Sequence, residues 1–172
     1  SGGTKGALGA GILPIIMSSF VHFIKAEAIL TAGVTGDAKA EFIAGITESI
    51  DRSVKPYNAT TDMATAIAAN SASIASNKAN YLSVLGTKFD SYSSDKKLEL
   101  IIKEYYIAAW GNGIEPYNNY RRTGYPSNFQ PTLEPVSGVY YSTGFYPASS
   151  FSNNPNAPSN VRTKKVFWDK QN

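Results

Sequence analysis

Residues 12–30 read ILPIIMSSFVHFIKAEAIL, and residues 37–54 read DAKAEFIAGITESIDRSV. In the first stretch Leu13, Ile16, Met17, Phe20 and Ile24 recur at helical spacing, and Pro14 suits a first helical turn. The pattern predicts a helix over 14–32 that ends at Gly33. Gly33-Val34-Thr35-Gly36-Asp37 then makes the turn, with Asp37 as the N-cap of the next helix. That second helix, 38–54, carries Phe42, Ile43, Ile46, Ile50 and Val54 on one stripe, and Pro56 stops it. Two helices joined by a short loop form an antiparallel pair, so the chain reads as all-α from this stretch outward.

Downstream, Ala59 to Asn80 is mostly Ala, Ser, Thr and Asn. It reads as a flexible linker or as a loop followed by an Ala-rich helix, and helix propensity favours the second. A short helix is predicted around 77–85, ended by Gly86. Ser94 or Asp95 caps a further helix over 95–110, with Leu98, Ile101, Ile102, Tyr105 and Ala109 as its stripe and Glu99–Lys103 as an i,i+4 pair. Gly111-Asn112-Gly113 ends it, and a short helix over 114–122 follows. From Tyr105 onward lie 14 of the 21 aromatic residues, and from Pro116 onward 7 of the 9 prolines. Residues 1–122 therefore read as a scaffold of helical hairpins. Residues 123–172 read as an irregular Tyr/Pro-rich region of turns and a few extended segments packed on it. The helix pairs are of comparable size, as in helical-repeat proteins, though no strict period is visible.

At 172 residues the chain is one domain's worth and can bury a core. A formal net charge of +3, with no long basic run, argues against a nucleic-acid partner. Cysteine is absent and histidine occurs once. That excludes disulfide frameworks, cysteine-based metal and haem sites, cysteine nucleophiles and the two-histidine zinc helix. No cofactor is called for. The most apolar run, Ile12 to Ile24, falls well short of the ~20 residues of a membrane span and contains Ser18, Ser19 and His22. It has no basic cluster before it, so it is not a signal peptide. Ser1-Gly2-Gly3-Thr4 reads as a cut or a loop, and the chain as complete and cytosolic or as a piece of something longer. Gly6, Gly9 and Gly11 precede a helix but follow no strand, so they are not a phosphate-binding loop.

Few residues invite a chemical role. Glu27 falls on the apolar stripe of the first helix, between Ile16 and Phe20 at 100° per residue. It reads as an acid–base residue or as a structural carboxylate, and the cost of burying an unpaired charge favours the second. Arg121 and Arg122 are its candidate partners, because adjacent guanidinium forks suit a carboxylate. His22 lies on the opposite, polar side of the helix with no second metal ligand nearby in sequence. Asn58-Ala59-Thr60 is a glycosylation sequon only in a secretory context. Asn153-Asn154-Pro155-Asn156 reads as a turn rather than a calcium loop, since it lacks acids. The late tyrosines either stack on sugar rings or pack loops onto helices.

Three stretches in order resemble the carboxy-terminal part of the SusD/RagB family of outer-membrane nutrient-binding lipoproteins. They are Ile12–Leu30 with its KAEA core, Ile102–Pro126 (IKEYYIAAWGNGIEPYNNYRRTGYP), and Phe145–Asp169 (FYPASSFSNNPNAPSNVRTKKVFWD). The resemblance implies an all-α fold of tetratricopeptide-like helix pairs supporting irregular binding loops. It implies a non-enzymatic protein on the outer face of the outer membrane of Bacteroidetes-type bacteria, held by a lipid on a cysteine that this chain lacks. It implies a SusC-type TonB-dependent transporter as partner and a glycan or peptide as ligand. It also implies an amino-terminal part of a longer parent protein. Ligand-contacting residues are not carried over. The matched residues look structural: Glu27 as a scaffold carboxylate, Arg121, Arg122 and Tyr125 as anchors of the turn after the helix, and Trp168 as a plug for the last segment. Two other classes remain open. One is a helical-repeat protein-interaction module without a small ligand. The other is a glycosidase, which needs two facing carboxylates where only Glu27 stands out.

Overall fold

The computed structural model describes residues 14–55, 60–130, 142–144, 147–157 and 164–170. Among them the fold is all-α, with seven helices and no strand. Two compact units are present, Ser1–Pro116 and Tyr117–Asn172. Leu13, Pro56, Asn58, Ala59 and the amino-terminal glycines, all named above, lie outside the described residues, as do Tyr140, Tyr141, Phe145 and Tyr146.

Helix α1 is Ser18–Thr31 and α2 is Ala38–Val54. The second matches the sequence expectation at both ends. Asp37 caps it as expected, its carboxylate accepting from the Lys39 and Ala40 amides at 2.9 and 3.1 Å. The first starts four residues later than expected, because Met17 is extended and serves as the N-cap position. Residues 14–16 are held elsewhere: Asn112 Nδ2 donates to the Ile15 carbonyl at 3.2 Å, and Gly111 lies against the Pro14 ring. After the Ala32 C-cap, Gly33 turns the chain with φ +68°, a left-handed conformation that costs glycine nothing.

The Ala-rich stretch forms two helices, α3 (Thr61–Ala69) and α4 (Ser71–Ser91), broken at Asn70. Here the structure corrects the short helix expected over 77–85. Gly86 does not end α4 but sits inside it. A Cβ at Gly86 would lie 3.5 Å from Lys39 Cε and 4.0 Å from Ile43 Cδ1, so its bare backbone marks where α2 passes close. The ~1 kcal/mol that glycine costs a helix is offset by burial of Leu85 and Phe89 on either side.

Helix α5 is Ser94–Ala108 and follows the extended residue Ser93, so Ser94 and Asp95 lie in its first turn instead of capping it. Asp95 there complements the helix dipole. Glu99 pairs with Lys96 at 2.6 Å, one turn before it. Helix α6, Ile114–Thr123, is capped by Asn112, whose Oδ1 accepts from the Ile114 and Glu115 amides. A last short helix, α7, is Ala148–Asn153. No helix among the described residues is long and apolar enough to cross a membrane.

In the first unit successive long helices run antiparallel. Phe23 of α1 meets Phe42 and Gly45 of α2, Lys39 and Asp51 of α2 meet Asp90 and Lys78 of α4, and Tyr81 of α4 meets Glu104 of α5. Tyr105 then brings α5 back to α1, packing on Phe20 at 5.1 Å and stacking on Phe23 at 5.6 Å between ring centres. Phe42 stacks on Phe89 at 5.2 Å. The resulting chain of rings, with Ile46, Leu85, Leu100 and Ile101, is the core. Gly45 is needed there, since a Cβ would sit 3.0 Å from the Phe23 ring.

Candidate functional site

Sequence reasoning placed Glu27 on the apolar side of α1, and it is buried. The same arithmetic does not find Glu104, which at 100° per residue falls beside Leu100, on the side of Ile101 away from Tyr105. Glu104 is nonetheless 5% exposed. The Tyr81 hydroxyl reaches both its carboxylate oxygens, at 2.8 and 3.0 Å. Burial raises the Glu104 pKa above the ordinary carboxylate value, against the pull of Tyr81 and of Lys103 and Lys88. Burial, and then the Glu104 carboxylate, push the Tyr81 phenol up in turn.

His22 is neither isolated nor purely solvent-facing. Its Nδ1 lies 2.5 Å from Glu41 Oε2 and its Nε2 lies 3.3 Å from Glu48 Oε1, both on α2. Lys25 reaches the other Glu41 oxygen at 3.6 Å. The hydrogen bond from His22 holds the Glu41 carboxyl below its usual range. Neither acid was visible from the helix that carries the histidine, because both come from the neighbouring strip of α2. Glu48 also lines a shallow cleft of about 250 Å³ with Ser18, Asp51, Arg52 and Lys55.

In the second unit, the RRTGYP and KVFWD stretches meet at Arg121. Its guanidinium carbon lies 4.4 Å from the Trp168 ring centre and 5.1 Å from that of Tyr117. Arg121 Nε donates to Asp169 Oδ2 at 3.2 Å, and the Asp169 side chain is fully buried. The Lys170 amide donates to the Arg121 carbonyl at 2.7 Å. Arg121, one of the two candidate partners named for Glu27, is thus engaged by Asp169, a residue quoted in the KVFWD stretch but not weighed as a partner. Arg122 Nη2 donates to Asn119 Oδ1 at 3.0 Å. Tyr125 follows Gly124, which has φ +77°, and its amide donates to the Thr123 hydroxyl. A cis peptide joins Tyr125 to Pro126. Phe129 packs edge-on against Tyr120 at 5.0 Å.

These groups make ion pairs, hydrogen bonds and ring contacts. No group of three or more His, Asp or Glu side chains among the described residues could hold a metal ion. Large apolar and aromatic side chains also face solvent. Trp110 is 91% exposed, and Tyr106, Ile107, Ile114, Ile15 and Ile16 are exposed as well.

A family model described as SusD-like, Susd and RagB outer membrane lipoprotein, matches residues 12–164. The chain belongs to the SusD/RagB family. No curated protein and no solved structure matches it. All three stretches that carry the resemblance begin within the matched span, and the Arg121 cage ties the second to the third. SusD/RagB proteins are outer-membrane lipoproteins, and in general they bind and do not catalyse.

Proposed function

We propose that this SusD-like chain takes part in binding a glycan or peptide nutrient at the outer face of the outer membrane, without breaking a bond. Its ligand passes to a SusC-type TonB-dependent transporter in the envelope of a Bacteroidetes-type bacterium. The observation that carries this reading is the family match over residues 12–164. Open aromatic surface supports it. Tyr106 and Trp110 stand one turn apart on α5 and its end, and flat rings with polar edges suit stacking on sugars. The test is calorimetric titration of soluble oligosaccharides and peptides into this chain, into Trp110→Ala, and into a longer protein that contains the chain. Binding that Trp110→Ala abolishes places the ligand on α5. Binding by the longer protein alone makes this chain scaffold. Binding by neither overturns the proposal.

A second reading is a helical protein-interaction module. The exposed aliphatic residues Ile15, Ile16 and Ile114 favour it, because exposed apolar side chains mark association surfaces and Asn112, two residues before Ile114, is bonded to the Ile15 carbonyl. Under it, Ile16→Asp abolishes association with a protein partner, and no sugar or peptide titrates.

A further inference from the structure

We infer that His22 is a proton-operated staple between α1 and α2, complete only when its ring carries a positive charge. Each ring nitrogen faces a carboxylate, Glu41 at Nδ1 and Glu48 at Nε2, seven residues apart on α2. A neutral imidazole has one N–H and one lone pair, so it can donate to only one of the two acids. The other nitrogen would then turn a lone pair toward an oxygen that also offers lone pairs. The imidazolium hydrogen-bonds Glu41 and attracts Glu48 as an ion pair.

The surrounding charges are mixed: His22 and Lys25 of α1 face Glu41 and Glu48 of α2, and Asp51, Arg52 and Lys55 line the cleft on the far side of Glu48. Helix α5, which also packs on α1, brings no ion pair to His22 among the described residues. The site is only partly shielded from water, with the Glu48 side chain 40% exposed. Both the His22 and Glu41 side chains are 26% exposed, and Glu48 Oε2 is buried with no hydrogen-bond partner among the described residues. Glu48 also lines the cleft beside Arg52 and Lys55, so loss of the proton frees a carboxylate at that rim.

The sign follows from linkage. The staple needs a protonated ring and ionised acids. With the ring charged it strengthens the hairpin, and it fails in stronger acid as Glu41 takes up a proton. Glu41 is held below its ordinary value, so its contribution is present above that value and lost as pH drops through the lowered one.

Thermal unfolding of the full chain from pH 5.5 to 8.5 tests this, with His22→Gln and Glu48→Gln beside the wild type. The wild-type midpoint, relative to His22→Gln, is expected to fall by roughly 2–4 °C from pH 6 to pH 8. Glu48→Gln should remove most of that difference, because an amide facing Nε2 can supply what the neutral ring lacks. Parallel profiles for all three proteins would overturn the proposal. If His22→Gln does not fold, amide exchange on α1 and α2 of the wild type and Glu48→Gln decides. Opening that accelerates between pH 6 and 8 only in the wild type supports the staple, and equal acceleration in both refutes it.

Discussion

The two units order their aromatic rings in different ways. In the first, rings pack against rings: Phe20, Phe23, Tyr105, Phe42 and Phe89 join α1, α5, α2 and α4. In the second, beside the ring pair Tyr120–Phe129, rings pack against a cation, with Trp168 and Tyr117 on Arg121 and Asp169 closing the cage. The cause is the backbone. A helix satisfies its own amides and leaves an apolar stripe to bury. Non-helical backbone such as 164–170 has unspent carbonyls and amides, so a group with five donors and a flat face organises it better than a methyl group does. The lesson is that hydrophobic periodicity locates the first kind of core and is blind to the second.

Substitutions sharpen this contrast. Phe23→Ala should have the largest effect, about 3–5 kcal/mol in denaturant unfolding, because its ring touches Phe42, Tyr105 and the face left open by Gly45. Retention of most of the stability would mean that the ring chain is not the core. Arg121→Lys keeps the charge and loses the flat fork. It should cost about 2 kcal/mol and raise exchange of the Lys170 amide, while amides of α1 and α2 stay protected. Equal loss of protection in both regions would show that the cage is no separate device.

Tyr81→Phe removes the one hydroxyl that serves a buried carboxylate through both oxygens and should cost about 1–2 kcal/mol. The pH dependence is specific. The Glu104 pKa is raised in the folded state, so its own contribution to stability is full below the ordinary carboxylate value of 4.5 and declines as pH climbs through the raised one. Glu104→Gln should flatten that decline, and unchanged slopes would refute the role of Glu104. Lys78→Ala breaks a part-exposed pair with Asp51 and should cost no more than about 1 kcal/mol, less at high salt. A larger loss would mean that α4 is held to α2 by charge more than by Leu85 and Phe89.

The α1–α2 hairpin was legible because each of its signals is local. Asp37 caps within three residues, Gly33 turns within two, and Phe42 and Ile46 repeat at one turn. Gly86 misled because a helical glycine and a terminating glycine look alike in sequence, and only the approach of Lys39 and Ile43 tells them apart. Glu104 was out of reach of the argument that picked out Glu27, because it lies to the side of the α5 stripe and is buried by the approach of α4 through Tyr81. Asp169 was out of reach as well, because it lies 48 residues from Arg121 along the chain.

From the sequence alone came the helical class, the apolar faces of α2 and α5, and the three ordered stretches that match the SusD/RagB family, since periodicity, caps and motifs are properties of neighbouring residues; on α1 the expected stripe failed, because Ile16 and Ile24 are exposed while Phe23 and Ala26 join Phe20 in the core. The tertiary structure decided which charges meet. His22 with Glu41 and Glu48, Tyr81 with Glu104, and Arg121 with Asp169 and Trp168 are each brought together across separate segments. Electrostatic and hydrogen-bond energies fall off within a few ångströms, and the order of residues along a chain does not state those distances.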